Sequence, residues 1–345
     1  MELVRVPLHG MHAELGARMT PFSGFEMPLL YKGILDEHRA VRTSWGVFDV
    51  SHMSDLEVPA ADAAALARAV AWEVGKLAPW SGKYTVACRA DGTILDDLIV
   101  YRLEDRFHVV PNAGMNGPVG DHLRAHGARV EDRSRATCII AVQGPRAPEL
   151  GPAAIGLERA PARFKAVPFA GGFASGTGYT GERGFELFVP NERAAALWRT
   201  LVGAGAAPCG LGARDTLRME KGYCLAGNEF APPRTPLESS LAWAIDLDHA
   251  FTGRDAILRQ RDAGVPQRLC GLELTDAGIP RRGHAVKRAD TLVGTVSSGT
   301  QSPLLGRGIA LAYVRTDLAE PGTDLEVEVR PGRTAACRVT KLPFL

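Results

Sequence analysis

Residues 91–101 read Asp91-Gly-Thr-Ile-Leu-Asp-Asp-Leu-Ile-Val-Tyr101, a buried strand by its apolar run, with two carboxylates side by side within it. Strand side chains alternate between faces, so Asp96 goes with Ile94, Leu98 and Val100, and Asp97 with Leu95, Ile99 and Tyr101. Neither face is polar. A buried carboxylate without a partner takes up a proton rather than stay charged, so each acid calls for hydrogen-bond donors, a cation or a ligand.

Outward from this strand the pattern is α+β. Ala60–Ala71 (AADAAALARAVA) and Glu192–Val202 (ERAAALWRTLV) read as amphipathic helices, each after a short apolar strand. The strand–helix passages around Asp55–Val74 and Phe185–Val202 suggest related halves, without clear self-similarity. Beyond Arg261 the pattern changes. Leu269–Leu274, Leu292–Ser297, Gly308–Val314, Asp324–Val329 and Ala336–Lys341 are short β-rich runs separated by Gly, Pro and Asp turns, the spacing of a small barrel. The expected division is therefore a region of two intertwined α+β domains over 1–265 and a barrel domain over 266–345.

Composition narrows the function classes. The 345 residues are 46% hydrophobic, ample for packed cores, and 40 basic against 39 acidic residues leave no global field for nucleic acid or a membrane surface. Met1–Gly10 has no signal-peptide run, and no segment reaches the roughly 18 consecutive apolar residues of a membrane span, so a cytoplasmic protein is expected. The cysteines at 88, 138, 209, 224, 270 and 337 form no CxxC pair and read as reduced core thiols. No HExxH spacing occurs, and no metal is expected.

Gly176-Thr-Gly-Tyr-Thr-Gly181 has the letters of a dinucleotide fingerprint, but Phe185–Val189 follows as an alternating strand where that motif needs a helix. A turn carrying Tyr179 toward a site fits better. Glu186 repeats the puzzle of the paired acids, although a lone strand glutamate commonly faces solvent. Arg214, Arg218 and Lys221 fall on one helical stripe, which by itself describes a solvated face. Asn112 follows the strand Phe107–Val110 where an Asx turn would do, and Tyr84 and Tyr101 serve equally as strand aromatics. Together these residues form a kit for a planar heterocycle: acceptors for amino and ring N–H groups, an amide, aromatic faces and an arginine for a carboxylate tail.

Further motifs lie along nearly the whole chain: Pro7-Leu-His9, Phe22-Ser-Gly-Phe-Glu-Met-Pro28, Phe48-Asp-Val-Ser-His-Met53, Val142-Gln-Gly-Pro145, Gly178-Tyr-Thr-Gly-Glu182 and Cys209-Gly-Leu-Gly-Ala-Arg-Asp-Thr-Leu-Arg218. Gly227-Asn-Glu229, Ser298-Gly-Thr-Gln-Ser-Pro303 and Lys341-Leu-Pro-Phe344 complete the order. In this order the sequence resembles the tetrahydrofolate-dependent aminomethyltransferase family, the T-proteins of the glycine cleavage system. The resemblance implies a three-domain cloverleaf around a central folate cavity, with the barrel last. By motif position it implies Asp97 at the reactive end of the folate, Glu186 on the pterin nitrogens, Asn112 and Tyr84 as pterin-site contacts, and Arg214 near the glutamyl tail. Met53, Tyr101, Tyr179 and Trp243 join these as implied folate contacts, and Asp96 is left to a structural role on the opposite face.

The activity so implied is a step of glycine catabolism and one-carbon metabolism. A lipoylated carrier, the H-protein, presents an aminomethyl group; folate nitrogen attacks its methylene; ammonia leaves, and methylenetetrahydrofolate and reduced carrier result. Three positions depart from the family pattern. Ala71-Trp72-Glu73 replaces Thr-Asn-Asp, Gly176 an arginine, and Ala226 a tyrosine. They motivate an alternative, folate-dependent one-carbon transfer or demethylation of a free small molecule, and a further one is a folate-binding protein without turnover.

Overall fold

The structure, a computed structural model, describes residues 3–345. Its strands, among the described residues, form three open sheets and one closed barrel. The chain divides into two compact units, the first made of residues up to Thr85 with Asp96–Asp215, the second of Val86–Leu95 with Thr216–Leu345.

In the first unit a six-stranded sheet runs in the order Ala166–Phe169, Gly172–Ser175, Gly184–Pro190, Thr137–Gln143, Gly46–Asp49, Ala207–Pro208. Gly184–Pro190 lies inside it, antiparallel to both neighbours, with Glu186 opposite Ala141 on one side and Ser175 on the other. Alternation divides this strand between two apolar environments. Phe185, Leu187 and Val189 enter a core with Ile140, Val142 and Trp198, the last from the helix Asn191–Gly203. Glu186 and Phe188 point the other way, and both are buried.

The strand Ile94–Arg102 belongs to a five-stranded sheet, ordered Ser81–Cys88, Ile94–Arg102, Arg106–Val110, Leu56–Pro59, Glu131–Asp132. Its Ile94, Asp96, Leu98 and Val100 are buried, while Leu95, Asp97 and Ile99 are half-buried, so the expected alternation is present. Tyr101, wholly buried, ends the Asp97 face against the other sheet: its ring centroid lies 5.4 Å from Phe173 and 5.6 Å from Phe188, and those two rings stack at 4.4 Å. Gly82 gives that ring its room, since a Cβ there would stand 2.7 Å from Tyr101 Cδ1.

In the second unit Gln267–Leu274, Gly308–Arg315, Thr291–Gln301, Ala285–Arg288, Asp324–Arg330 and Arg333–Thr340 close in that order into a barrel. Closure leaves no free edge. Leu272, Val286, Val296, Ala312, Val327 and Val339 fill it as alternating inward residues. Five of its strands match the β-rich runs of the sequence. The sixth, Ala285–Arg288, is too short and too basic to announce itself, yet it bridges Thr291–Gln301 and Asp324–Arg330.

The alanine-rich segment forms a 3-10 turn, Ala60–Asp62, followed by the helix Ala63–Ala69, and no helix follows Gly176–Gly181. Among the described residues no helix is long and apolar enough to cross a membrane. All six cysteines are unbridged, five of them buried and Cys224 half-buried.

The motif Val142-Gln-Gly-Pro145 has a steric cause. Gly144 sits at φ +133°, and a Cβ there would lie 2.4 Å from the Ser44 carbonyl oxygen. Gly144→Ala should therefore lower unfolding free energy by at least the roughly 1–3 kcal/mol of a strained backbone position, read from the urea midpoint.

Candidate active site

The two acids of Ile94–Arg102 share one partner from the loop after Arg106–Val110. Asn112 donates its backbone N–H to Asp96 Oδ2 at 2.8 Å and its Nδ2 to Asp96 Oδ1 at 2.9 Å and Asp97 Oδ1 at 2.7 Å. Tyr84 donates its hydroxyl to Asp97 Oδ2 at 2.8 Å. The donors that both acids demand are thus supplied by the protein. Burial, then the neighbouring Asp97 charge, pushes Asp96 up to about 8 against the pull of Asn112.

Four residues further along the same face, Tyr101 leads to a second buried acid. Its hydroxyl lies 2.8 Å from Thr177 Oγ1 and accepts from Ser175 Oγ at 3.2 Å, and Thr177 Oγ1 donates to Glu186 Oε2 at 2.5 Å. Burial raises the Glu186 pKa, opposed by the Thr177 hydrogen bond and by Arg214. Arg214 itself is lowered by burial and raised by Glu186 and Tyr179, its guanidinium carbon 4.5 Å from the Tyr179 ring centroid. Arg214 thus belongs to the Glu186 cluster. Burial and the Arg214 cation hold His52 down at about 3, so that imidazole is neutral.

Two buried polar atoms here have no hydrogen-bond partner, Arg214 Nη1 and His52 Nδ1. Leaving such atoms unpaired costs about 1–3 kcal/mol each, more for a charged group, so the cluster is incomplete as a purely structural element. A ligand with a hydrogen-bond acceptor for Arg214 and N–H donors for Glu186 satisfies it.

Residues that the sequence reading passed over hold these groups in place. Gln143 Nε2 donates to the Thr177 carbonyl at 3.1 Å and its Oε1 accepts from Thr180 Oγ1 at 2.8 Å, while Arg42 Nη1 donates to the Thr180 carbonyl at 2.7 Å. The loop bearing Thr177 and Tyr179 is fixed at both ends. Glu37, buried, accepts from the backbone N–H groups of Tyr31, Lys32 and Gly210, and so anchors the start of the helix Leu211–Glu220 that carries Arg214. The quoted motifs around Gln143 and Gly210 were the available signal for both.

Met53 lines a cavity of about 200 Å³ with Val4, Phe25, His52, Asn116 and Arg135. Trp243 lies in the second unit on the 3-10 turn Ala242–Ala244 and is 60% exposed. The solvated stripe expected for Arg214, Arg218 and Lys221 is corrected: Arg218 is buried, with Nη1 3.4 Å from Glu229 Oε2 and Nη2 donating to Ser298 Oγ at 3.0 Å, and the helix ends at Glu220. Among the described residues no cluster of potential metal ligands occurs.

Of the departures, Gly176 has a local explanation. It bridges Arg163, and a Cβ would stand 2.1 Å from the Ala162 carbonyl oxygen. Trp72 lies under the Lys83 ammonium, 3.4 Å from its ring centroid, and Ala226 opens the short helix Ala226–Glu229.

Fold and site define a class: a two-unit α+β protein with a closed barrel and a polar site of buried carboxylates beside an arginine. Residues 8–249 match the family described as the GCVT N-terminal domain, and residues 267–345 the glycine cleavage T-protein C-terminal barrel domain. The chain is 43% identical to a probable aminomethyltransferase of Natronomonas pharaonis over 100% of this chain and 99% of that one. It is 41% identical to an aminomethyltransferase of Symbiobacterium thermophilum, over 99% and 97% respectively. The crystal structure of glycine cleavage system aminomethyltransferase T from Bartonella henselae superposes with a TM-score of 0.93 at 32% identity, covering 99% of this chain and 98% of that one. The chain belongs to the glycine cleavage T-protein family.

Two substitutions test the site as built. Thr177→Val removes the hydroxyl that Glu186 accepts from, so stability should fall by roughly 1–3 kcal/mol in urea unfolding. A carboxyl raised in the folded state gives stability present below its ordinary pKa and lost as pH rises through the raised value. Thr177→Val raises Glu186 further, so the decline above the ordinary carboxyl pKa should extend over a wider pH window than in wild type. Gly176→Arg should destabilise the chain by more than about 1 kcal/mol, from the carbonyl collision, and lower the melting temperature.

Proposed function

We propose that this protein transfers an aminomethyl group from a dihydrolipoyl carrier protein to tetrahydrofolate, giving methylenetetrahydrofolate, ammonia and reduced carrier. The observation that carries the reading is the Glu186 cluster: a buried carboxylate poised by Thr177, a guanidinium with an unpaired Nη1 and an aromatic face at Tyr179. Full-length relatives named aminomethyltransferase support it. Bound tetrahydrofolate supplies the nitrogen that takes over the one-carbon unit.

The chain's own residues have separable tasks. Glu186 accepts from the amino and ring N–H groups of the pterin, Arg214 donates to an acceptor beside it, and Tyr179 and Met53 supply apolar contact. Asp97, its oxygens oriented by Tyr84 and Asn112, faces the reacting end and stabilises positive charge as the amine departs. Juxtaposition of two bound reactants supplies most of the acceleration.

The decisive assay incubates the protein with tetrahydrofolate and an aminomethylated lipoyl carrier, and measures methylenetetrahydrofolate together with ammonia; absence of both products refutes the reading. Glu186→Gln should weaken tetrahydrofolate binding by on the order of 1.5–3 kcal/mol, seen in titration and in a smaller ligand-induced rise of the melting temperature. Asp97→Asn should bind folate within a few-fold of wild type and lose most of its kcat, because its charge acts mainly in the transition state.

A further inference from the structure

Asp96 and Asp97 project to opposite faces of their strand, yet Asn112 binds both. An amide nitrogen has two hydrogens. One goes to Asp96 Oδ1 at 2.9 Å and the other to Asp97, whose Oδ1 lies at 2.7 Å and carbonyl oxygen at 3.0 Å. The backbone N–H of Asn112 also grips Asp96, at 2.8 Å, so Asp96 holds this residue at two points and leaves its remaining hydrogen aimed at Asp97.

We propose that Asp96 is a positioning residue for the transfer reaction: acting through Asn112, it fixes the carboxylate of Asp97. The inference rests on the reading above, in which Asp97 meets the reacting atoms.

The charge state follows the same geometry. Two carboxylates on one amide nitrogen, one of them buried, repel strongly if both ionise. Asp97 is the charged group that bears on Asp96 from its own strand, and Asn112, from the adjoining loop, is uncharged. With Asp96 pushed up to about 8, it keeps its proton at neutral pH and the charge rests on Asp97. A neutral carboxyl still accepts on both oxygens. Ionisation at higher pH tightens the Asn112 hydrogen bonds to Asp96 and sets a second negative charge against Asp97, so the shared amide is drawn away from Asp97.

The test compares wild type, Asp96→Ala, Asp96→Asn and Asp97→Asn in carrier-dependent formation of methylenetetrahydrofolate from pH 6 to 9.5, with melting curves for each. Asp96→Ala should lower kcat roughly 10²-fold, the scale of a small misplacement, and change the KM for tetrahydrofolate less than about threefold. Asp96→Asn, which is neutral like the protonated acid and keeps one acceptor oxygen for Asn112, should recover to within about tenfold of wild type and lose the alkaline fall in kcat that wild type shows near pH 8. If Asp96→Ala does not fold, the pH profile of Asp96→Asn decides. A folded Asp96→Asn with the same alkaline limb as wild type, or a folded Asp96→Ala with wild-type kcat, overturns the proposal. Wild type without carrier-dependent turnover, or Asp97→Asn at full kcat, refutes the functional reading and this inference with it.

Discussion

The first unit depends on where Tyr101 ends. Its ring packs at a steep angle against Phe173 and Phe188, while its hydroxyl meets Ser175 and Thr177, so one side chain joins the five-stranded sheet to the six-stranded one in both apolar and polar registers. A buried tyrosine is stable only when its hydroxyl is paired, so the loop that supplies Ser175 and Thr177 must sit where it does. Asp97 is four residues earlier on the same strand face, about 13 Å at strand rise. The spacing between the acid held by Asn112 and the acid held by Thr177 is thus set by one strand and one ring.

Buried acid is the recurring difficulty around the site, and three cases there are met differently. Asp96 and Asp97 divide the donors of one asparagine, with Tyr84 completing the second acid. Glu37 spends its charge on backbone N–H groups and so anchors the start of the arginine helix. Glu186 has one protein hydroxyl and the longer-range field of Arg214, a weaker arrangement than either of the others. The least satisfied acid stands beside the unpaired guanidinium nitrogen, which is where a small molecule can contribute most.

Much of this was legible in the sequence because period and polarity conflict there. Two adjacent acids in an apolar run demand partners whatever the fold, and the alternating runs after Arg261 correspond to five barrel strands. The sixth strand, Ala285–Arg288, was not, because four residues with two cations carry too little pattern. Arg218 misled for a related reason. A cationic stripe on a helix describes a wet face and a buried polar network equally well, and only Glu229, Ser298 and the Tyr223 carbonyl, all distant or uninformative in sequence, distinguish them. The Asn112 clamp depends on the antiparallel register that pairs Ile99 with Val110 and so carries Asn112 opposite Asp97, which no local spacing announces.

The departures from the family pattern gain a different weight once the backbone is considered. At position 176 the chain passes so close to the Ala162 carbonyl that any side chain would collide, so glycine there follows from the path of the neighbouring loop. A residue that the local backbone requires carries little information about a substrate. At position 72 the indole is covered by the Lys83 ammonium, a cation–π contact that accounts for an aromatic at that point by packing and electrostatics alone. The departures that suggested a different one-carbon donor are therefore, at these two positions, accommodated by local structure, and under the proposed function the constraint on the chemistry remains with Asp97 and Glu186.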